Sequence, residues 1–259
     1  MGFRMEKTKY RLIIDKPRSA AENMAIDEAI LMKRSEIGLN TLRLYSWRPS
    51  AVSIGYFQSI ERVLDIEKSR ELGVDYVRRI SGGGAVFHDH GGEITYSIVV
   101  DQDSPILPKR VVDSYPVLCD GVIRALTCVG LQPKFSGIND IVVNGKKISG
   151  NAQTRRYGGV LQHGTILRKV RPDFMFSLLK ITDEKMRDKA IKNFHERVTS
   201  LEKEGILISE RDLVDALILG FSQALNVRFV KTTLSKEERL LAEKLKEEKY
   251  VSKEWNHKK

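Results

Sequence analysis

Cysteine is nearly missing from this sequence: Cys119 and Cys128 are the two in 259 residues. A disulfide scaffold and a cysteine-rich zinc site are both excluded, and the pair fits a reducing, cytoplasmic setting. Long apolar runs are missing as well. No stretch of about 18 uncharged apolar residues occurs, so no membrane partner or transmembrane span is expected. The first ten residues, Met1 to Tyr10, carry charges and no apolar segment, which gives no sign of a secretory signal. No aromatic RNA-binding run is present, so nucleic acid is not expected as a partner. No Gly/Pro/Ser-rich linker, internal repeat or low-complexity segment divides the chain, and residues 1–259 read as a single domain.

What remains is the composition of a globular domain, 41% hydrophobic and 30% charged. Lys and Arg number 44 against 34 Asp and Glu, a formal charge of +10. That surplus fits an anionic partner such as a nucleotide or an acidic protein. It equally fits a solvated, heavily charged surface, because the basic residues are spread along the chain.

Periodicity predicts an α+β domain with mixed or antiparallel sheets flanked by helices. A strand is expected over Tyr10–Ile14. Ser19-Ala-Ala-Glu22 is a capping box that opens a helix. Strands follow at Thr41–Trp47, Ala51–Tyr56 and Val74–Ile80, with a short helix over Glu61–Leu72. Ile94, Tyr96, Ile98 and Val100 alternate onto one face of a strand. A helix over Val117–Val129 stops at Gly130. The clearest local signal is Asn144-Gly145, the preferred pair for a two-residue type I′ hairpin turn. Val160–Leu167 is a strand, and the remainder is mostly helical, with Ser209–Leu225 as one amphipathic helix.

Arg78-Arg-Ile-Ser-Gly-Gly-Gly-Ala-Val-Phe-His-Asp89 is the first candidate for chemistry. Three glycines allow close backbone approach to a ligand, with amides free for phosphate or carboxylate oxygens. The two arginines before them supply fixed positive charge. A glycine-rich turn with surface arginines is the plainer alternative. No Gly-Lys-Ser/Thr follows and no helix opens, so neither a Walker loop nor a Rossmann fingerprint fits. The hairpin is the second candidate. Counting outward from Asn144-Gly145 pairs Val143 with Lys146, Val142 with Lys147 and Ile141 with Ile148. Ile141, Val143 and Ile148 then face the core, and Asp140 and Lys147 face the other way. A solvated lysine is the ordinary case there; a lysine steadying charge on a reacting acyl or phosphoryl group is the functional one. His88, His90 and His163 show no zinc-site spacing. Both cysteines read as core.

Together these residues resemble the lipoate–protein ligases, within the biotin/lipoate ligase and octanoyltransferase superfamily. The stretches that carry the likeness are Asn23–Ala29, Arg78–Asp89, Asn139–Ala152, Gln162-His-Gly-Thr165, Arg197–Leu201 and Glu254-Trp-Asn256. The resemblance implies a biotin/lipoate ligase-like catalytic domain. It implies activation of lipoate with ATP and Mg2+ to lipoyl-AMP, then transfer to a lysine of a lipoyl domain, on a 2-oxoacid dehydrogenase or the glycine-cleavage H protein. By resemblance Lys147 is the catalytic lysine. Arg79, Gly84, Ala85, Val86, Phe87, Asp140, Lys147 and Thr165 meet the nucleotide, with Asp140 near the metal. Arg79, Gly82, Gly83, His88, Lys147 and His163 meet lipoate, and Val52 and Ile54 are candidate walls of its tunnel.

Ligases of this family continue past the Trp-Asn segment into a small accessory domain, whereas this sequence ends at Lys259. The likeness therefore suggests a catalytic subunit with a separately encoded small partner. The alternative is an octanoyltransferase, which needs no ATP. Its cysteine-dependent branches place the nucleophile in the loop before the hairpin or after the His-Gly run. Here that loop is Pro133–Asp140, without cysteine, and none follows Cys128. A non-catalytic lipoate or nucleic-acid binder is a third reading, which Arg79, Asp140 and Lys147 together disfavour.

Overall fold

The computed structural model describes residues 7–181 and 183–258. Met1 to Glu6 of the charged N-terminal stretch, Thr182 and Lys259 lie outside them. In chain order the elements begin with β1 (Thr8–Ile14), α1 (Ala20–Ile37), β2 (Thr41–Tyr45), β3 (Ala51–Ile54), α2 (Ile60–Val63), α3 (Ile66–Glu71), β4 (Asp75–Arg78) and β5 (Val86–His88). Then come β6 (Glu93–Asp101), α4 (Val111–Cys128), β7 (Lys134–Ser136), β8 (Asp140–Val143), β9 (Lys146–Arg156) and β10 (Gly159–Leu167). The chain continues through α5 (Pro172–Ser177), α6 (Glu184–Arg197), α7 (Glu210–Leu225), β11 (Val227–Lys231), α8 (Lys236–Leu245), a π-helical turn (Lys246–Tyr250) and α9 (Lys253–Asn256).

Eight strands form one mixed sheet in the order β11-β1-β2-β6-β10-β9-β8-β7, and β4-β3-β5 form a second, smaller sheet. Only β1 runs parallel to its neighbours, β11 and β2, within the large sheet. The α+β expectation stands. Among the described residues no helix is long and apolar enough to cross a membrane.

The two faces of the large sheet differ in chemistry. Ile94, Tyr96, Ile98 and Val100 of β6 point one way, as their alternation requires, and pack with Leu42, Leu44, Val160 and Ile166 against α4 and α7. The opposite face of the same strands is buried and more polar, though Val99 and Leu161 join an apolar cluster under α1. Directly paired residues share a face, so the register sets Arg43, Ser97, His163 and Ala152 in one row across β2, β6, β10 and β9. Tyr45, Thr95, Thr165 and Gly150 make the next row. α1 covers this face. Its capping box closes as expected, with Ser19 and Glu22 bonding reciprocally.

Some boundaries move. The expected helix over Glu61–Leu72 is two short helices, because the Asp65 side chain caps a new one by accepting from Lys68 N at 3.0 Å. α4 begins at Val111, earlier than expected, and runs through Pro116. The hairpin turn has positive φ at both Asn144 and Gly145, as type I′ demands. The counted register holds for Val143 with Lys146 and Val142 with Lys147. It then slips: Ile141 pairs with Ser149 and Asp140 with Gly150. Ile148 is the extra residue of a β-bulge, which turns it into the core beside Ile141.

α4 and α7 touch through glycines. A methyl group on Gly220 would sit 2.3 Å from the Gly121 carbonyl oxygen, and one on Gly121 would meet the Phe221 ring at the same distance. Backbone cannot yield as a side chain can. Gly220→Ala should destabilise the fold by about 1–3 kcal/mol, read as a lower midpoint in chemical denaturation.

Candidate active site

Consecutive strand residues point to opposite sides, and Arg78 and Arg79 use this. Arg78 is buried against the C-terminal segment. Its guanidinium donates to the carbonyls of Trp255 (2.9 Å), Asn256 (2.9 Å) and Lys258 (2.8 Å), and to those of Tyr56 (2.9 Å) and Gln58 (2.5 Å). Trp255 returns its indole N–H to the Arg78 carbonyl at 2.8 Å. This staple accounts for the Glu254-Trp-Asn256 motif.

Arg79 turns the other way, under the glycine loop. One terminal nitrogen donates to the Ser53 carbonyl (3.0 Å) and hydroxyl (3.2 Å); the other holds the carbonyls of Gly82 (2.8 Å) and Gly84 (2.7 Å). The expectation of a free donor fork for substrate therefore changes. Arg79 shapes the loop and also borders a cavity beside it. Burial lowers its pKa to about 10, so it stays charged at neutral pH. In a trans peptide the N–H points opposite to the C=O. Holding the Gly82 and Gly84 carbonyls toward Arg79 thus turns the Gly83 and Ala85 amides away from it. Gly55 permits the loop to lie this close: a methyl group there would be 1.9 Å from the Gly83 carbonyl oxygen.

Two cavities meet beside this loop, of about 170 and about 200 Å3. Ala85, Val86, Lys147, Gly150 and Thr165 line both. The first runs inward to Met24, Tyr45 and Trp47; the second is walled by Phe87, Met175 and Phe194, with Lys169 and Arg171 at its side. Lys147 stands at the junction. It reaches there across Gly150, where a methyl group would come within 2.6 Å of its Cε and Nζ. Its ammonium pairs with Asp140 at 2.7 Å. Lys146 points elsewhere, its ammonium donating to the His195 carbonyl at 3.3 Å. The two adjacent lysines are thus not equivalent.

Gly83, Gly84, Ala85, Val86, Phe87, His88, Lys147, His163 and Thr165 all border one or both cavities. Gly82 does not; its carbonyl serves Arg79. Val52 and Ile54 do not either. On β3 they face away from Ser53, into a separate apolar cluster with Ile60, Leu64 and Leu178, so they are not tunnel walls. His88 has both ring nitrogens engaged, by Ser53 (2.8 Å) and Glu93 (2.7 Å). Asp140 offers a magnesium ion one carboxylate at most. Its carboxylate already carries the Lys147 ammonium, and among the described residues no three metal-ligating side chains converge. Any divalent ion would have to arrive on the phosphates of a nucleotide.

Sequence reasoning missed Asp27, Ser81, Asn151 and Glu93. Asp27 of α1 is the hub of the polar sheet face. It accepts from Arg43, Ser97 and Tyr45, each at 2.8 Å, and lies 3.4 Å from His163 Nδ1. His163 Nε2 is 2.6 Å from the Ser81 hydroxyl, just before the glycines. Asn151 and Asn139 bond reciprocally and tie the ends of the hairpin together. The Asn23–Ala29, Arg78–Asp89 and Asn139–Ala152 motifs contain Asp27, Ser81 and Asn151, but nothing local says which side chain turns inward.

Burial pushes the His163 pKa below its usual value, with Asp27 opposing. The neutral ring is the form that accepts the Ser81 hydroxyl. The unfolded chain takes up a proton first, so stability should fall as pH drops below about 6.5, the free histidine value. His163→Gln should flatten that limb, measured by denaturation between about pH 5 and pH 7. An unchanged slope would show that His163 does not titrate on unfolding.

Residues 19–222 match the family model of the lipoyl protein ligase A/B catalytic domain. Octanoyltransferase LipM from Kyrpidia tusciae is 37% identical, covering 96% of this chain and 99% of that protein. The LipM of Brevibacillus brevis is 35% identical over 96% and 98%. Among solved structures, a bi-partite lipoate protein ligase from Thermoplasma acidophilum, described with its E2 lipoyl domain, superposes with a TM-score of 0.88 at 32% identity, covering 96% of both chains. The glycine loop, the bulged hairpin and these matches agree: the chain belongs to the lipoyl protein ligase A/B catalytic domain family, on the biotin/lipoate ligase fold.

Proposed function

We propose that this chain transfers an octanoyl or lipoyl group onto a lysine ε-amine of a lipoyl domain. The observation that carries the reading is Lys147 at the junction of two cavities, opposite the glycine loop. An acyl donor lying across that junction places its carbonyl beside a fixed ammonium, which stabilises the oxyanion as the amine attacks. The inner cavity takes the chain. The outer one, beside Lys169 and Arg171, takes the group that leaves.

Two donors fit, and different observations favour each. Both LipM relatives match over nearly their whole length, which favours an octanoyl group delivered by a carrier protein over the ligase reading first expected. An enzyme-bound thioester, however, needs a thiolate beside the carbonyl. Burial pushes the Cys119 thiol up to about 12, and Cys128 is exposed at the end of α4; neither lines the cavities. The acceptor amine must then attack the donor directly. Lipoyl-AMP suits direct attack, and the likeness to a bi-partite ligase supports it. In that reading ATP, Mg2+ and a small accessory subunit belong to the activation step.

One assay separates them. The chain is incubated with a lipoyl domain and octanoyl-carrier protein, lipoyl-AMP, or lipoate plus ATP, and the acceptor is weighed by mass spectrometry. Product from the first makes it an octanoyltransferase. Product from lipoyl-AMP but not from lipoate plus ATP makes it a ligase subunit lacking its activator. Acylation from none of them overturns the proposal.

With the productive donor, Lys147→Ala should lower transfer by about 100-fold or more. Lys146→Ala should leave it unchanged. Gly150→Ala, which displaces the lysine without removing it, should cost about tenfold or more while the melting temperature holds. Equal losses from both lysine variants would refute the junction role.

A further inference from the structure

We propose that Glu93 is a positioning residue for the glycine loop, holding Gly82–Gly84 in shape through His88, Ser53 and Arg79. The inference rests on the acyl-transfer reading for its effect on rate, but its geometry stands apart from it. Glu93 opens β6 and is 1% exposed. Its Oε1 lies 2.7 Å from His88 Nδ1. His88 Nε2 lies 2.8 Å from the Ser53 hydroxyl, and that hydroxyl lies 3.2 Å from a terminal nitrogen of Arg79. The other terminal nitrogen of Arg79 grips the carbonyls of Gly82 and Gly84.

The chain of bonds has one self-consistent direction. A guanidinium only donates, so the Ser53 oxygen accepts from Arg79. Among the described residues the one acceptor in reach of the Ser53 hydrogen is His88 Nε2. That nitrogen must then be bare, and the ring is neutral with its hydrogen on Nδ1, donated to the Glu93 carboxylate. One buried cation and one buried anion are thereby joined through two neutral groups. Arg79 has no ion-pair partner among the described residues, so the carbonyls of Ser53, Gly82 and Gly84, with the Ser53 hydroxyl at the end of this relay, compensate its burial.

A second set of contacts fixes the far end. The Trp47 ring stacks on His88, with centroids 3.9 Å apart and planes at 16°. The Trp47 indole N–H donates to the Thr95 hydroxyl (2.7 Å), which donates in turn to Glu93 Oε1 (2.8 Å). Glu93 therefore has little freedom, and neither does the ring it orients. A change at Glu93 reaches the loop through groups already in contact, without moving a backbone element.

Two substitutions test the relay in the full chain. Glu93→Gln keeps the shape and removes the charge. Ser53→Ala removes the hydroxyl link and keeps the carbonyl. Histidine ring and glycine amide nitrogen shifts are recorded by NMR, and transfer is measured per folded molecule with the productive donor. The wild type should show neutral His88 protonated on Nδ1. Glu93→Gln should shift the Gly82–Gly84 amides and lower kcat by about tenfold or more, with KM for the lipoyl domain unchanged. Ser53→Ala should do the same, and the double variant should be no slower than the slower single one.

A charged or Nε2-protonated His88, multiplicative losses in the double variant, or a Glu93→Gln enzyme with normal kcat and only a lower melting temperature would each overturn the proposal. Should the wild type acylate nothing, the acyl-transfer reading fails by itself. The relay is then judged on the glycine amides alone: movement in Glu93→Gln supports it and stillness refutes it.

Discussion

Two neighbouring guanidiniums, buried on opposite sides of one strand end, set the conditions for everything around them. Among the described residues neither Arg78 nor Arg79 is in an ion pair, and an uncompensated charge away from water is expensive. Each is therefore wrapped in oxygens. Arg78 gathers carbonyls from the Tyr56–Gln58 loop and from Trp255 to Lys258; Arg79 gathers those of Ser53, Gly82 and Gly84. Gly83, at a φ of 96°, takes a backbone conformation open to glycine, and this lets Gly82 and Gly84 turn both carbonyls onto one nitrogen of Arg79. The loop that faces the cavity is thus shaped by the demands of the cation beneath it.

The same logic extends over the large sheet. One face is apolar; the other buries a polar patch organised around Asp27 beside a second apolar cluster, in which Ile13, Val99 and Leu161 pack against α1. Burial alone would raise the Asp27 pKa, yet contacts from His163, Arg43 and Ser97 hold it below the usual carboxylate range. A satisfied polar network of this kind is rigid, since each member has a partner to lose. Rigidity there keeps Thr165, Gly150 and Lys147 in fixed relation to the loop, and fixed dipoles and charges are what acyl transfer needs.

Much of this was legible in the residues. The alternation of Ile94 to Val100 gave the core face, Ser19-Ala-Ala-Glu22 gave the start of α1, and Asn144-Gly145 gave the hairpin and the inequality of its two lysines. Each of those signals is local. The bulge at Ile148 was not legible, because counting from a turn assumes an unbroken ladder. Val52 and Ile54 were assigned to the site when Ser53 between them was the one facing it; an apolar expectation for a tunnel hid the polar residue. Asp27 and Ser81 make their contacts with residues far along the chain, and no local pattern encodes which distant partner a carboxylate or hydroxyl will meet; Glu93 meets His88 and Thr95 close by in sequence, but its role lies in what His88 touches next.

The staple at Arg78 spans 177 to 180 positions of sequence. A ribosome delivers the chain from its N-terminus, and domains form as their segments emerge. Until Trp255 to Lys258 leave the exit tunnel, Arg78 lacks half of its oxygens and the Tyr56–Gln58 loop beside Gly55 lacks its anchor. A nascent or prematurely terminated polypeptide of this kind would hold an unfinished centre around Arg78.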